Sequence, residues 1–327
     1  PHTTSATMHH DFAGASVLMM RRLVWVVWLA LLSTGCIATQ FLSRNLAAFG
    51  QLRTVAHKIE NPVRPEARLA VLWVGHATVL IQIDDKILLT DPVWTRTVGQ
   101  ISPRLVEPGI EVRHLPPLDA VLISHMHFDH LSLGSLEMIE DKVRWLGMPE
   151  GGLVYLTDFS FPAHEVPWWQ TRVLPGDLKV TAVAVRHNGW RYGLDHAWRE
   201  GIGYAAWVIE YHGITVYFGG DSALAEDAYR ETARRFPTID LALLPIAPIH
   251  PRGFMKRVHT DPWEALTAFE KLGATWMVPI HFDTFINSLD EPGEPTRVLE
   301  QAVKQNRIAE NRVHRLAIGE QKVLISR

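Results

Sequence analysis

The 327-residue chain has one cysteine, Cys36. A lone thiol excludes an intrachain disulfide framework and any zinc site built from several cysteines. The chain also lacks an excess of positive charge: 32 Lys and Arg face 35 Asp and Glu, for a formal net charge of −3. Without a basic field, a nucleic-acid binder is disfavoured. Internal repeats and low-complexity tracts are absent. Charged residues make up 20% and apolar ones 47%, which fits a sizeable core and argues against disorder. What is abundant is histidine, at 17, and tryptophan, at 12. That many imidazoles directs attention to metal-ligand spacing.

Long uncharged runs are equally scarce, and the one present lies near the start. Arg21-Arg22 precede an apolar run from Leu23 to Leu32, followed by Ser33-Thr34-Gly35-Cys36. A basic segment, a short apolar segment and small residues are the pattern of a secretory signal. Its ending on cysteine resembles a bacterial lipoprotein lipobox, with Ser33 where leucine is usual. The resemblance implies a lipidated Cys36. An uncleaved anchor is the alternative, since no charge occurs from Leu23 through Ser43, long enough to span a ~30 Å bilayer. A buried N-terminal helix is the third reading. Residues 1–36 are expected to be a signal or anchor segment, 37–68 a connector, and 69–327 the functional domain. The first two readings export the chain and hold it on the extracytoplasmic side of a bacterial membrane.

From Leu69 onward, short apolar runs alternate with turns. Leu69–Val74, Thr78–Ile83 and Lys86–Thr90 read as successive strands, with Asp84-Asp85 as a hairpin turn. Asp119–Ser124, Val180–Arg186, Tyr204–Glu210, Ile214–Phe218, Leu241–Leu244, Trp276–Ile280 and Val313–Ala317 read as further strands. Helical spacing marks Leu133–Glu140, Leu224–Arg235, Pro262–Leu272 and Pro295–Asn306. At Asp261-Pro262 the aspartate is a cap and the proline the first helical residue. The mixed order predicts an α/β or α+β protein with layered sheets.

The sharpest signal is Ser124-His125-Met126-His127-Phe128-Asp129-His130, directly after a buried strand. Three imidazoles and a carboxylate in so short a span are costly to bury unless something satisfies them. His125 and His127 alternate, so an extended chain points both to one side. Asp129 and His130 fall at the turn into a helix and aim at a second point nearby. Imidazole and carboxylate suit zinc, iron or manganese. Downstream, His187, Asp221 and His281 each follow a predicted strand, where loops build sites.

This constellation resembles the HxHxDH signature of the metallo-β-lactamase superfamily. The resemblance implies that family's αβ/βα four-layer sandwich, with two facing mixed β-sheets and helices outside. It implies two divalent metal ions, zinc first, with iron or manganese as alternatives. His125, His127 and His187 would hold one metal, Asp129, His130 and His281 the other, and Asp221 would bridge them. Two cations about 3.5–4 Å apart lower the pKa of a water between them and clamp the oxygens of a phosphodiester or carbonyl.

The flanking residues narrow the branch. Trp73-Val74-Gly75-His76-Ala77-Thr78, Leu89-Thr90-Asp91-Pro92, His259-Thr260-Asp261-Pro262 and His281-Phe282-Asp283-Thr284-Phe285 resemble the N-acyl-phosphatidylethanolamine-hydrolysing phospholipase D branch. A related branch is that of ascorbate-6-phosphate lactonase-like proteins. The chain departs from the branch at Phe282-Asp283, at Ser222, and at Gly189, where a hydroxyl residue is frequent. The reading that follows is a metal-dependent hydrolase acting on a phosphodiester such as a phospholipid. The alternatives are a lactonase or other ester or amide hydrolase, and a non-enzymatic metal-binding envelope lipoprotein.

Asp129, Asp221 and His259 are the candidate catalytic residues. His259 and Arg191 are candidates for binding an anionic substrate group, against loop packing and a surface arginine. His76 and Asp91 are candidate outer partners of the ligands, against turn roles. Trp168, Trp169, Trp190 and Trp198 offer aromatic surface for acyl chains or a membrane interface, with ordinary packing as the alternative.

Overall fold

Strand β1 (Ala67–Gly75) alternates between two apolar cores, as the two-residue period of a strand requires. Leu69, Val71 and Trp73 enter one, and Leu72 and Val74 enter the other. The computed structural model describes residues 37–327 apart from 57, 100, 157, 193, 194 and 196–200. The expected signal or anchor segment, Cys36 included, and Trp198 lie outside the described residues. The chain divides into two units, residues 1–47 and 48–327. Residues 37–48 form a helix, α1. No helix among the described residues is long and apolar enough to cross a membrane.

Two mixed sheets carry the second unit. In the first, β15 (Gln321–Ser326), β1, β2 (Thr78–Ile83) and β3 (Lys86–Thr90) pair antiparallel. Next to β3 come β6 (Ala120–Leu122), β7 (Leu146–Met148) and β8 (Ala163–Glu165), all parallel. The second sheet runs β14 (Trp276–Ile280), β13 (Leu241–Pro245), β12 (Ile214–Phe218), β11 (Ala206–Tyr211), β10 (Leu178–Val183) and β9 (Thr171–Leu174). Its β12, β13 and β14 are parallel and the rest antiparallel. A separate two-stranded ribbon joins β4 (Thr97–Val98) to β5 (Ser102–Pro103).

The sheets face each other. Val71, Trp73 and Ile81 of the first share one core with Val180, Trp207 and Ile209 of the second. The opposite side of the first sheet is covered by α2 (Leu133–Ile139), through Leu136 and Ile139. Helix α5 (Pro262–Leu272) buries Ala265, Leu266, Phe269 and Leu272, flanked by α3 (Glu226–Arg235) and α6 (Glu294–Gln305). Helix, sheet, sheet, helix is the layering the resemblance implies. The start of α5 also follows its sequence: Asp261 accepts from the Glu264 amide at 2.9 Å, with Pro262 in the first turn.

The short strands β4, β5, β7, β8 and β9 have no counterpart among the expected strands, and some expected strands differ in place or extent. Val313–Ala317 is not a strand; Val313 makes only an isolated bridge to Met277. The edge strand is instead β15, whose residues are half-buried almost throughout and so show no alternation in the sequence. Strand β10 ends at Val183 rather than Arg186, which frees the chain before His187 to leave the sheet.

Phe269 is fully buried, and its ring lies 4.7 Å from the Arg312 guanidinium. Phe269→Ala is expected to cost about 3–5 kcal/mol in urea unfolding. A loss under ~1 kcal/mol would contradict this packing.

Candidate metal centre

Loops that follow strand ends bring the donors together. Ser124–His130 follows β6 and is held by Asp91, just beyond β3. The Asp91 carboxylate accepts from the Ser124 amide at 2.6 Å, from the Ser124 hydroxyl, and from His130 Nδ1 at 2.6 Å. Asp221 lies in the turn after β12. Gly220 there has φ 55°, and a Cβ on it would lie 2.3 Å from Ser124 Cβ, so glycine lets the two loops touch. Beyond β10, the Ala223 amide donates to the Arg186 carbonyl at 2.8 Å, which sets His187 beside the Asp221 turn. His281 follows β14, and its amide donates to the His76 carbonyl at 3.0 Å.

Three groups of donor atoms result, each within 4.8 Å, that could hold a metal ion: His125, His127 and His187; Asp129, His130 and His281 with His76; and, behind them, Asp91, His125 and His130. In the first, His127 Nδ1 lies 2.9 Å from His125 Nε2 and 3.4 Å from His187 Nε2. In the second, His130 Nε2 and His281 Nε2 are 3.2 Å apart, each 3.7 Å from Asp129 Oδ2. Asp221 stands between these two groups, 3.3 Å from His130, 3.1 Å from His281 and 3.9 Å from His125.

The outer nitrogens explain the inner ones. His187 Nδ1 donates to the Val258 carbonyl at 2.8 Å and His281 Nδ1 to the Ala247 carbonyl at 3.0 Å. His127 Nε2 donates to Asn188 Oδ1 at 3.0 Å, and His130 Nδ1 to Asp91. The Ser124 hydroxyl gives its proton to Asp91 and so accepts from His125 Nδ1 at 2.9 Å. With the N–H groups fixed outward, the free lone pairs turn inward. Nitrogen lone pairs that face one another at 2.9–3.4 Å need positive charge between them. The donor set therefore fits divalent cations, and neutral imidazole with an outer acceptor is their usual ligand.

Charge is balanced accordingly. Burial holds His125 and His187 well below the usual histidine range. Burial also opposes charge on His281, but Asp221 and Asp129 outweigh it and push that ring up to about 9. His130 is raised well above its usual value, against burial, by Asp221, Asp129 and Asp91. Burial alone would raise Asp221, yet His281, His130 and His259 hold it well below the carboxylate range. A cation and protons therefore compete for the nitrogens of His130 and His281.

His76 and Asp91 both stand behind ligands. His76 Nε2 donates to Asp129 Oδ2 at 3.0 Å, and its ring lies 3.9 Å from that of His281. His76, Asp91 and His281 have φ of 55°, 31° and 66°, a left-handed conformation that the surrounding bonds must maintain. His259 also joins the site, with Nδ1 3.4 Å from Asp221 Oδ2 and its ring 5.3 Å from that of His187. Its Nδ1 is buried without a hydrogen-bond partner.

Arg191 is placed differently from the expectation. It is 4% exposed, and its Nη1 donates to the Met126 and Leu131 carbonyls, both at 2.8 Å. The guanidinium also covers the Phe128 ring at 4.4 Å. Through Nη1 it clamps the metal-site loop, while its Nε is buried without a hydrogen-bond partner. Trp168 donates to the Tyr204 carbonyl at 2.9 Å and packs with Trp169 against the core, whereas Trp190 is exposed and sits 5.1 Å from the His127 ring. Gly189 has a steric reason: a Cβ there would lie 2.3 Å from the Gly203 carbonyl carbon. Asn188 carries no signal in the sequence beyond following His187.

A family model described as a β-lactamase superfamily domain matches residues 86–282. The chain belongs to the metallo-β-lactamase superfamily. Within it, the chain is 28% identical over 236 residues to N-acyl-phosphatidylethanolamine-hydrolyzing phospholipase D 1 of Caenorhabditis elegans, covering 67% of this chain and 65% of that protein. It is 31% identical over 253 residues to an uncharacterized protein of Mycobacterium tuberculosis, covering 74% and 66%. The chain thus spans just under two thirds of these relatives' length. An isothiocyanate hydrolase from Delia radicum gut bacteria shares the fold, with a TM-score of 0.62 at 16% identity over 79% of this chain and 100% of that one. The fold is that of the superfamily's metallo-hydrolases.

Asp91→Ala is expected to lower zinc affinity about 10–100-fold in chelator competition; an unchanged affinity would contradict its supporting role. Zinc loading at pH 7 should release protons, because, against burial, Asp221 and Asp129 push His281 up to about 9. Its affinity should therefore weaken as pH falls. Titration in weak buffer with an indicator dye checks this, and loading without proton release would refute it.

Proposed function

We propose that the chain is a hydrolase with two divalent cations, zinc first, acting on a phosphodiester of the N-acyl-phosphatidylethanolamine type. His125, His127 and His187 would hold one cation, Asp129, His130 and His281 the other, with Asp221 shared. When bound, the cations supply an activated water and positive charge for the oxygens of the scissile group. Asp129 is kept in place by His76, and Asp221 by its position among four imidazoles. His259, mainly through burial, is held down to about 4 and is neutral at pH 7. A neutral imidazole beside Asp221 can take a proton from the attacking side or pass one to the leaving alkoxide. Hydrolysis forms a water oxygen–phosphorus bond and breaks the bond to the N-acylethanolamine, leaving phosphatidic acid.

One observation carries the lipid part of this reading. Phe128, Trp190 and Tyr192 are 36%, 41% and 56% exposed, immediately beside the donor cluster. Phe128 and Tyr192 touch at 5.7 Å between centroids, and Trp190 meets the ligand-group ring of His127. Such amphipathic rings suit the boundary between acyl chains and head groups. The name of the worm relative points the same way. The same proposal takes residues 1–36 as an export and lipid-anchor segment, with Cys36 lipidated and the site on the outer side of a bacterial membrane.

The test is mass-spectrometric detection of phosphatidic acid from N-acyl-phosphatidylethanolamine in detergent micelles, with zinc-loaded full chain and Asp221→Ala as control. Phosphatidic acid from the parent alone is expected. None from fully loaded parent would remove this substrate and favour lactones or smaller phosphodiesters.

A further inference from the structure

With the Arg191 Nη1 turned to loop carbonyls, His259 is the one expected donor for an anionic oxygen that the structure brings to the centre. Asn188 is a second candidate, beside His127. Its Oδ1 lies 3.0 Å from His127 Nε2, and the residue is only half-buried. It follows His187 directly and precedes Gly189, whose close approach to Gly203 leaves no room for a side chain. On its other flank, Trp190 lies against the same His127 ring.

The amide has two ends, and the first is committed. His127 Nδ1 faces His125 Nε2 at 2.9 Å and His187 Nε2 at 3.4 Å, so its lone pair belongs to the centre. Its Nε2 then carries the proton and requires an acceptor, which fixes the Asn188 oxygen toward His127. The NH2 group lies on the opposite branch of the same planar amide. A carboxylate would satisfy His127 equally but would repel an anionic substrate; an amide satisfies both.

We infer that Asn188 has two roles: its oxygen positions His127 for metal ligation, and its NH2 donates to an anionic oxygen of the substrate. The second role makes it a specificity-determining residue for phosphate-type groups. It rests on the hydrolase reading for its meaning but not for its test.

Zinc affinity of the full chain is measured by chelator competition for the parent, Asn188→Asp and Asn188→Leu. Circular dichroism checks that each variant is folded. Asp keeps the acceptor and should match or exceed the parent, while Leu should lose about tenfold. Binding of inorganic phosphate is then followed by calorimetry at saturating zinc. Asn188→Leu should weaken it about tenfold, and Asn188→Ala repeats that arm without a bulky side chain. Parent-like zinc affinity in Asn188→Leu would overturn the positioning role. Parent-like phosphate binding in Leu and Ala, or no phosphate binding by the parent, would overturn the donor role. A parent that binds phosphate yet releases no phosphatidic acid refutes the proposed substrate and leaves this inference standing.

Discussion

The structure depends on a constraint at its centre: buried imidazoles are held from behind so that their free nitrogens converge. Asp91, Ser124, Asn188 and the Val258 and Ala247 carbonyls each receive an outward N–H. The opposing nitrogens are then pressed to 2.9–3.4 Å, a separation that neutral lone pairs do not tolerate without positive charge between them. Asp221 and Asp129 add negative charge to the same space. Outer hydrogen bonds thereby convert folding energy into a preorganised cation site, in which the ligands need little rearrangement.

The sandwich supplies this constraint through strand ends. Apolar strands fix the positions at which β6, β12 and β14 release their chains, and the site residues come immediately after. Strand β10 releases its chain early, and the Arg186–Ala223 bridge steers His187 inward. His76, Asp91 and His281 adopt left-handed backbone here, where packing and hydrogen bonds over-determine the conformation.

Most of the fold was legible because its strands are strongly apolar. Thr78–Ile83, Lys86–Thr90, Ile214–Phe218 and Trp276–Ile280 have the same bounds in the sequence reading and in the structure. The edge strand β15 was not, since a strand half-exposed along its length presents no hydrophobic period. Metal-site candidates could be read because histidine and aspartate rarely cluster behind a buried strand without a purpose. The placement of Arg191 is not legible, because a sequence does not reveal which way a guanidinium faces; here Nη1 bonds backbone carbonyls of the loop. Asn188 was overlooked for a related reason. A single amide is common in loops, and only the contact with His127 distinguishes it.

The most direct test of the central claim is metal stoichiometry. The full chain, loaded with excess zinc and freed of unbound metal, is analysed by inductively coupled plasma mass spectrometry beside Asp221→Ala. The convergent lone pairs predict about two zinc ions per parent chain and a lower value for the variant. A folded parent that retains one ion or none would contradict the account.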